Sequence, residues 1–191
     1  MGGFRDSAPP RLAALLAALL AWAAAAAAEA AVEPGAADQR HAVMAMVARE
    51  ARAAGVPVPL ALAVAHAESY FNARALSGKG ARGVMQIMPA TSSGEYGVHP
   101  DRLWNARLNV RMGLHFLRRL IDRYGGRVDL ALSHYNGGSG VGDGPGARVI
   151  PATRAYVGRV HALWRAYRDR PWWAGEGGWT ARAAAPASRA N

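Results

Sequence analysis

Leu60-Ala-Leu-Ala-Val-Ala-His-Ala-Glu68-Ser-Tyr-Phe-Asn72 is an apolar helical run that ends on an acid. Val56-Pro-Val-Pro59 makes a rigid turn before it, and the second proline is placed to start a helix. An acid at the end of such a run would be fixed on a rigid element and partly desolvated. Desolvation raises a carboxyl pKa, which is what a general acid needs near neutral pH. The plainer alternative is a helix-end glutamate that caps the helix or pairs with an arginine.

Two later segments set polar groups in apolar surroundings: Gly83-Val-Met-Gln-Ile-Met-Pro89 and Tyr135-Asn-Gly-Gly138. Read with Glu68, they suit glycosidic bond cleavage in a polysaccharide cleft. The rest of the chain reads as helix. A first helix is expected from about Asp38, a good N-cap, to Gly55, a good C-cap. After the Glu68 helix comes a loop over Asn72 to Gly83, then a short helix at about Val84 to Ile87. Pro89 opens a turn, and Thr91 to Gly97 reads as an irregular helical segment broken by Gly94. The longest helix is expected over about Ala106 to Tyr124, with Leu108, Met112, His115, Phe116, Leu120 and Ile121 as its apolar stripe. Asp129 to Tyr135 and Ala152 to Tyr167 complete the set, with a glycine-dense loop over Asn136 to Gly146 between them. No alternating pattern of strand length occurs, so the fold class is all-α.

The first 28 residues read as a signal peptide. Arg5 and Arg11 give a basic start, Leu12 to Ala28 is continuously apolar, and Ala-x-Ala sites follow. An uncleaved membrane anchor is the alternative, at the short edge of what spans a bilayer. Residues 29–37 then form a short flexible leader, 38–170 one catalytic-sized domain, and 171–191 a Gly/Ala/Arg-rich tail expected to be disordered. The expected location is the periplasm. The chain has no cysteine, which excludes disulfides, a thiol nucleophile and thiolate metal sites. Its formal net charge is +10, almost all from arginine. Scattered arginines on an exported chain, with no nucleic-acid-binding motif, argue against nucleic acid and leave an anionic wall polymer or lipid as the partner class.

Ala67-Glu-Ser-Tyr-Phe-Asn72 followed by Ser77-Gly-Lys-Gly-Ala-Arg-Gly-Val-Met-Gln-Ile-Met-Pro-Ala-Thr91 resembles the catalytic region of the soluble lytic transglycosylase family, with its goose-type lysozyme-like fold. Asn109 to Leu117, Ala131 to Gly138 and Thr153-Arg-Ala-Tyr-Val157 match its later motifs in order, so the resemblance spans roughly Val43 to Tyr167. It implies a lysozyme-like single domain with a substrate cleft for peptidoglycan glycan strands. It also implies a reaction without water: one glutamate protonates the MurNAc–GlcNAc glycosidic oxygen, then takes the proton of the C6 hydroxyl, leaving a 1,6-anhydromuramyl end. The tethered hydroxyl has a large effective-concentration advantage over water.

The resemblance makes Glu68 the catalytic residue. It places Ser77 near the glutamate and the sugar's N-acetyl group, Gln86 and Met88 along the cleft, the Tyr135 hydroxyl beside Glu68, Asn136 at the sugar edge or on backbone, and Tyr156 facing the cleft. Each has a plainer reading. Ser77 could hold its own turn, Gln86 could tie down backbone, and Met88 and Tyr156 could be core. A hydrolase would need a second carboxylate. Glu95, Asp101, Asp122 and Asp129 are the candidates, and none lies in an apolar setting, so Glu68 reads as the only desolvated acid. His66, His115 and His134 share no metal-ligand spacing. No cofactor or metal is expected, and a monomer is. Asn72-Ala73 in place of the family's Asn-Pro, and Gly-Gly-Ser after Asn136 in place of Ala-Gly-Pro, should loosen two loops without removing a functional group. A hydrolytic muramidase and a non-catalytic wall-binding or assembly protein are the rival readings. Secretion, conjugation, pilus and flagellar machines are the candidate assemblies.

Overall fold

The computed structural model of the protein describes residues 35–169. The chain divides into two units, Met1–Asp38 and Gln39–Asn191, and of the first only residues 35–38 are described. The expected signal peptide, most of the leader and the tail lie outside the described residues. Six α-helices follow among those described: α1 (Ala36–Ala53), α2 (Val58–Ser69), α3 (Pro89–Tyr96), α4 (Ala106–Arg123), α5 (Val128–Gly137) and α6 (Arg154–Asp169). Short 3-10 turns at Pro100–Trp104, Ser139–Val141, Gly144–Gly146 and Pro151–Thr153 link them. None of these helices is long and apolar enough to cross a membrane.

Helix α2 is the centre of the domain. Every residue from Val58 to Ala65 is buried. A helix apolar on all sides must be enclosed, and α2 packs against α6. Helix α4 is amphipathic. Val110, Met112, Leu114 and Leu117 face the core, and Arg107, Arg111, Arg118 and Arg119 face solvent. Removing one fully buried leucine, such as Leu62 or Leu114, would cost about 2–5 kcal/mol. Gly113 lets α4 approach closely, since a Cβ there would sit 2.5 Å from Met85 Cβ.

The chain leaves α2 through two consecutive non-glycine residues in the left-handed region, Tyr70 (φ 54°) and Phe71 (φ 64°). Their amides return to the His66 and Ala65 carbonyls and close the helix. Buried Phe71 fixes the exit, while Tyr70 lies half exposed under the Arg40 guanidinium, 4.1 Å from its ring centroid. Backbone held this way costs about 1–3 kcal/mol per residue and persists only where its surroundings enforce it.

Three expectations on this stretch and beyond need correction. Val84 to Ile87 is not helical. Gly83 (φ 74°) and Gln86 (φ 47°) are left-handed, and Arg82 pairs with Ile87 by two backbone hydrogen bonds of 3.0 and 3.1 Å, which turns the chain back on itself. Pro89 starts a helix rather than a turn, and α3 runs through Gly94 to stop at Gly97 (φ 61°). His115 is exposed and bonded to the Tyr96 hydroxyl at 3.0 Å, so it is not part of the α4 stripe. The side chain buried there is Asn109.

Candidate active site

Glu68 sits on the last turn of α2, half-buried, and accepts a hydrogen bond of 2.6 Å from the Tyr156 hydroxyl on α6. Burial pushes its carboxyl up to about 7, while the Tyr156 hydrogen bond and the Arg159 guanidinium pull the other way. The neighbouring Ser69 hydroxyl donates to the Val84 carbonyl at 2.8 Å, tying the end of α2 to the Gly83–Met88 segment. Glu68 is thus held by an enclosed helix below and a pinned loop beside it.

The loop is fixed from α4. The Asn109 side-chain oxygen accepts from the Met85 amide at 2.8 Å, and its nitrogen donates to the Arg82 carbonyl at 2.8 Å and to the Leu103 carbonyl at 3.2 Å. Asn109 is fully buried, and those bonds use its donors and acceptor. Gly83 is required against it: a Cβ would fall 2.6 Å from Asn109 Nδ2, at a φ of 74°. From α5, the Tyr135 hydroxyl donates to the Met85 carbonyl at 2.8 Å.

Tyr135 therefore does not hydrogen-bond Glu68. It lies near enough for the Glu68 charge to act on it, and burial first, then that charge, raise its hydroxyl well above the ordinary tyrosine range. The hydroxyl that engages the acid belongs to Tyr156, raised likewise by burial and by Glu68. Gln86, Met88 and Tyr135 converge on one small cavity of about 40 Å³, shared with Ile87, Thr91 and Phe116. There the Gln86 amide donates to the Gly83 and Ala75 carbonyls at 2.9 and 3.2 Å, so it braces the loop it lines. Met88 is 39% exposed at the rim, so it is not core filler. Phe116 also walls a larger polar groove of about 540 Å³ with Glu95, Arg119, Asp122, Arg123, Leu120 and His134.

Ser77 and Asn136 do not line that small cavity. The Ser77 hydroxyl accepts from the Ala81 amide at 2.9 Å and closes its own turn. Asn136 is exposed on the last turn of α5. Each candidate second acid is spoken for by an arginine on the surface: Glu95 by Arg119, Asp101 by Arg82, Asp122 by Arg118 and Asp129 by Arg127. Glu68 is not the only desolvated acid, however. Glu50 is 4% exposed on α1 and pairs with Arg107 at 2.6 Å and Arg111 at 3.3 Å. Two guanidiniums make it a structural ion pair, whereas Glu68 meets a neutral hydroxyl. His66 bonds the Tyr167 hydroxyl at 2.8 Å and His134 the Tyr124 hydroxyl at 2.8 Å. Sequence reading passed over Ser69, Asn109 and Glu50. The legible signal for Asn109 was an amide on the apolar face of α4, between Leu108 and Val110.

Residues 45–144 match the family described as the transglycosylase SLT domain. The chain is similar to the transglycosylase of Enterobacteria phage PRD1, 39% identical over 101 residues, which cover 53% of this chain and 35% of that protein. It is similar to the soluble lytic murein transglycosylase of Escherichia coli K12, 29% identical over 141 residues, covering 61% of this chain and 22% of that one. Among solved structures it resembles the 70 kDa soluble lytic transglycosylase of Escherichia coli with a TM-score of 0.57 and 26% identity, over 65% of this chain and 24% of that chain. The matched region is thus about a third or less of the relatives' own length, and Tyr156 lies beyond the residues that match the family. On the match over 45–144, the helical fold and the likeness to these relatives, the chain belongs to the transglycosylase SLT domain family.

Proposed function

We propose that this protein is a lytic transglycosylase that cleaves the MurNAc–GlcNAc β-1,4 bond of peptidoglycan with Glu68 as acid and then base. The observation that carries this reading is the environment of Glu68: a half-buried carboxyl, raised to about 7, whose hydrogen-bond partner is the neutral hydroxyl of Tyr156. A group titrating there can hold a proton for the leaving oxygen and then accept one at the same pH.

The steps balance on one residue. The Glu68 proton moves to the glycosidic oxygen, the C1–O bond breaks, and the leaving sugar departs with a hydroxyl. An oxocarbenium-like centre remains on the muramyl ring. The Glu68 carboxylate then takes the C6 hydroxyl proton while that oxygen bonds C1. Glu68 ends protonated, with no water consumed. Tyr156 holds the carboxylate in place between the steps, and its hydrogen bond to the charged form limits how far burial can raise the pKa. Gln86, Met88 and Tyr135 form the sugar-facing wall, with Met88 against an apolar sugar face.

The alternative of hydrolysis needs a carboxylate to direct water, and the surface pairing of Glu95, Asp101, Asp122 and Asp129 with arginines supports its absence. The apolar Leu12 to Ala28 run supports export to the periplasm, with cleavage near Ala28. The likeness to a phage transglycosylase supports service to a machine that must open the wall locally. The mass of the fragments released from peptidoglycan, by wild type and by Glu68→Gln, tests the chemistry.

A further inference from the structure

We propose that Arg159 is the specificity-determining cation of this cleft, receiving a carboxylate carried by the muramyl sugar or its peptide. The inference rests on the reading of Glu68 as the glycosidic acid. Arg159 lies one turn after Tyr156 on α6, with its guanidinium carbon 5.7 Å from the Tyr156 ring centroid. The same ring carries the hydroxyl that meets Glu68 at 2.6 Å. The Tyr156 side chain thus touches Arg159 with its ring and the acid with its hydroxyl.

What sets Arg159 apart from other exposed arginines that form no ion pair among the described residues, such as Arg74, Arg102 and Arg165, is that its guanidinium lies over the ring of the tyrosine that holds Glu68. Arg82, Arg107, Arg111, Arg118, Arg119, Arg123 and Arg127 each face an aspartate or glutamate within 4 Å. Among the described residues, no carboxylate forms an ion pair with Arg159, and its side chain is exposed. A guanidinium resting one face on a tyrosine keeps its N–H fork free for a planar acid.

The substrate supplies the acid. Each muramyl ring carries a lactyl ether ending in a carboxylate. It is free in bare strands, and in substituted strands it is joined to a peptide that brings carboxylates of its own. A neutral N-acetylglucosamine oligomer has the same backbone and neither acid. Recognition through Arg159 would make the cleft distinguish muramyl strands from neutral ones, by a charge-assisted hydrogen bond.

Binding by calorimetry separates this from a purely structural role. Glu68→Gln protein, with and without the added change Arg159→Ala, is titrated with a neutral N-acetylglucosamine oligomer, a bare muramyl strand and a peptide-substituted strand. The expected result is about a tenfold loss of affinity from Arg159→Ala on at least one acidic strand, with the neutral oligomer unchanged, and partial rescue by Arg159→Lys. Loss on the bare strand assigns the lactyl carboxylate, and loss only on the substituted strand assigns the peptide. Equal affinity of both proteins for all three ligands, or equal loss on all three, overturns the proposal. Wild-type turnover on the substituted strand is measured in parallel. Turnover with an indifferent Arg159→Ala overturns this inference alone, whereas a wild type that neither binds nor cleaves any strand overturns the reading of Glu68 as well.

Discussion

The Tyr156 hydroxyl donates to Glu68 Oε1 at 2.6 Å, joining helix α6 to the end of α2 across 88 positions of sequence. The contact sets two opposing influences on one carboxyl. Burial raises it toward 7, and the hydroxyl restrains that rise by favouring the charged form.

Tyr156→Phe removes the restraint. The Glu68 pKa should rise further, so the descending limb of the kcat/KM profile should move to higher pH. The acid also loses its fixed orientation, and kcat should fall about tenfold or more, in keeping with a hydrogen bond to a charged group worth about 1.5–3 kcal/mol. A pH–rate profile checks both. An unmoved limb would detach Tyr156 from the acid.

Tyr135→Phe should act differently. Its hydroxyl serves the Met85 carbonyl, so the loss falls on the loop, at about 1–3 kcal/mol of stability if that carbonyl is left unsatisfied. Denaturant unfolding should show the destabilisation, and the pH limb should stay where it is. A limb shifted as in Tyr156→Phe would mean that Tyr135 engages Glu68 directly.

Gly83→Ala tests the platform under the cleft. It puts a Cβ into a left-handed backbone and against the Asn109 amide, which should cost about 2–4 kcal/mol. The melting temperature should fall, and activity should fall with it even where the protein remains folded, because Asn109 holds the Met85 amide and the Arg82 carbonyl together. Wild-type melting and turnover would show that the loop accommodates the methyl freely.

Glu68 should make the fold less stable as pH rises. Its carboxyl keeps the proton to about pH 7 in the folded state but releases it near the ordinary 4.5 when unfolded. Between those values the folded state binds more protons, so stability falls with rising pH, by about 3 kcal/mol once above 7. Glu68→Gln removes that cost. Its melting temperature should match wild type near pH 4 and exceed it progressively to pH 8. Parallel melting curves across that range would mean that the carboxyl is not raised.

Much of the architecture was legible because burial writes itself into composition. The unbroken Leu60 to Ala67 run announced an enclosed helix, and the spacing of Met112, Phe116 and Leu120 announced α4. Val84 to Ile87 was misread as helix because its apolar residues say nothing of dihedral angles: Gln86 takes a left-handed φ of 47° that no local signal demands of a glutamine. The hydrogen bond from Tyr156 to Glu68 was not legible either, although Tyr156 was read as facing the cleft and Tyr135 as lying beside the acid. Which hydroxyl reaches Glu68 depends on how α5 and α6 meet α2, and that is decided by packing far from either residue. Glu50 was passed over because its partners, Arg107 and Arg111, come from another helix.

The central claim is that one carboxyl does the work of acid and base without water, and product mass tests it most directly. Peptidoglycan strands incubated with the mature protein, without added metal or cofactor, should yield 1,6-anhydromuramyl fragments, each lighter by one water than a hydrolytic product. Glu68→Gln should reduce their release by about 10⁴-fold or more, since the general acid–base contribution of about 10²–10⁴ is lost at both steps. Fragments at the full hydrolytic mass, or undiminished release by Glu68→Gln, would contradict the account.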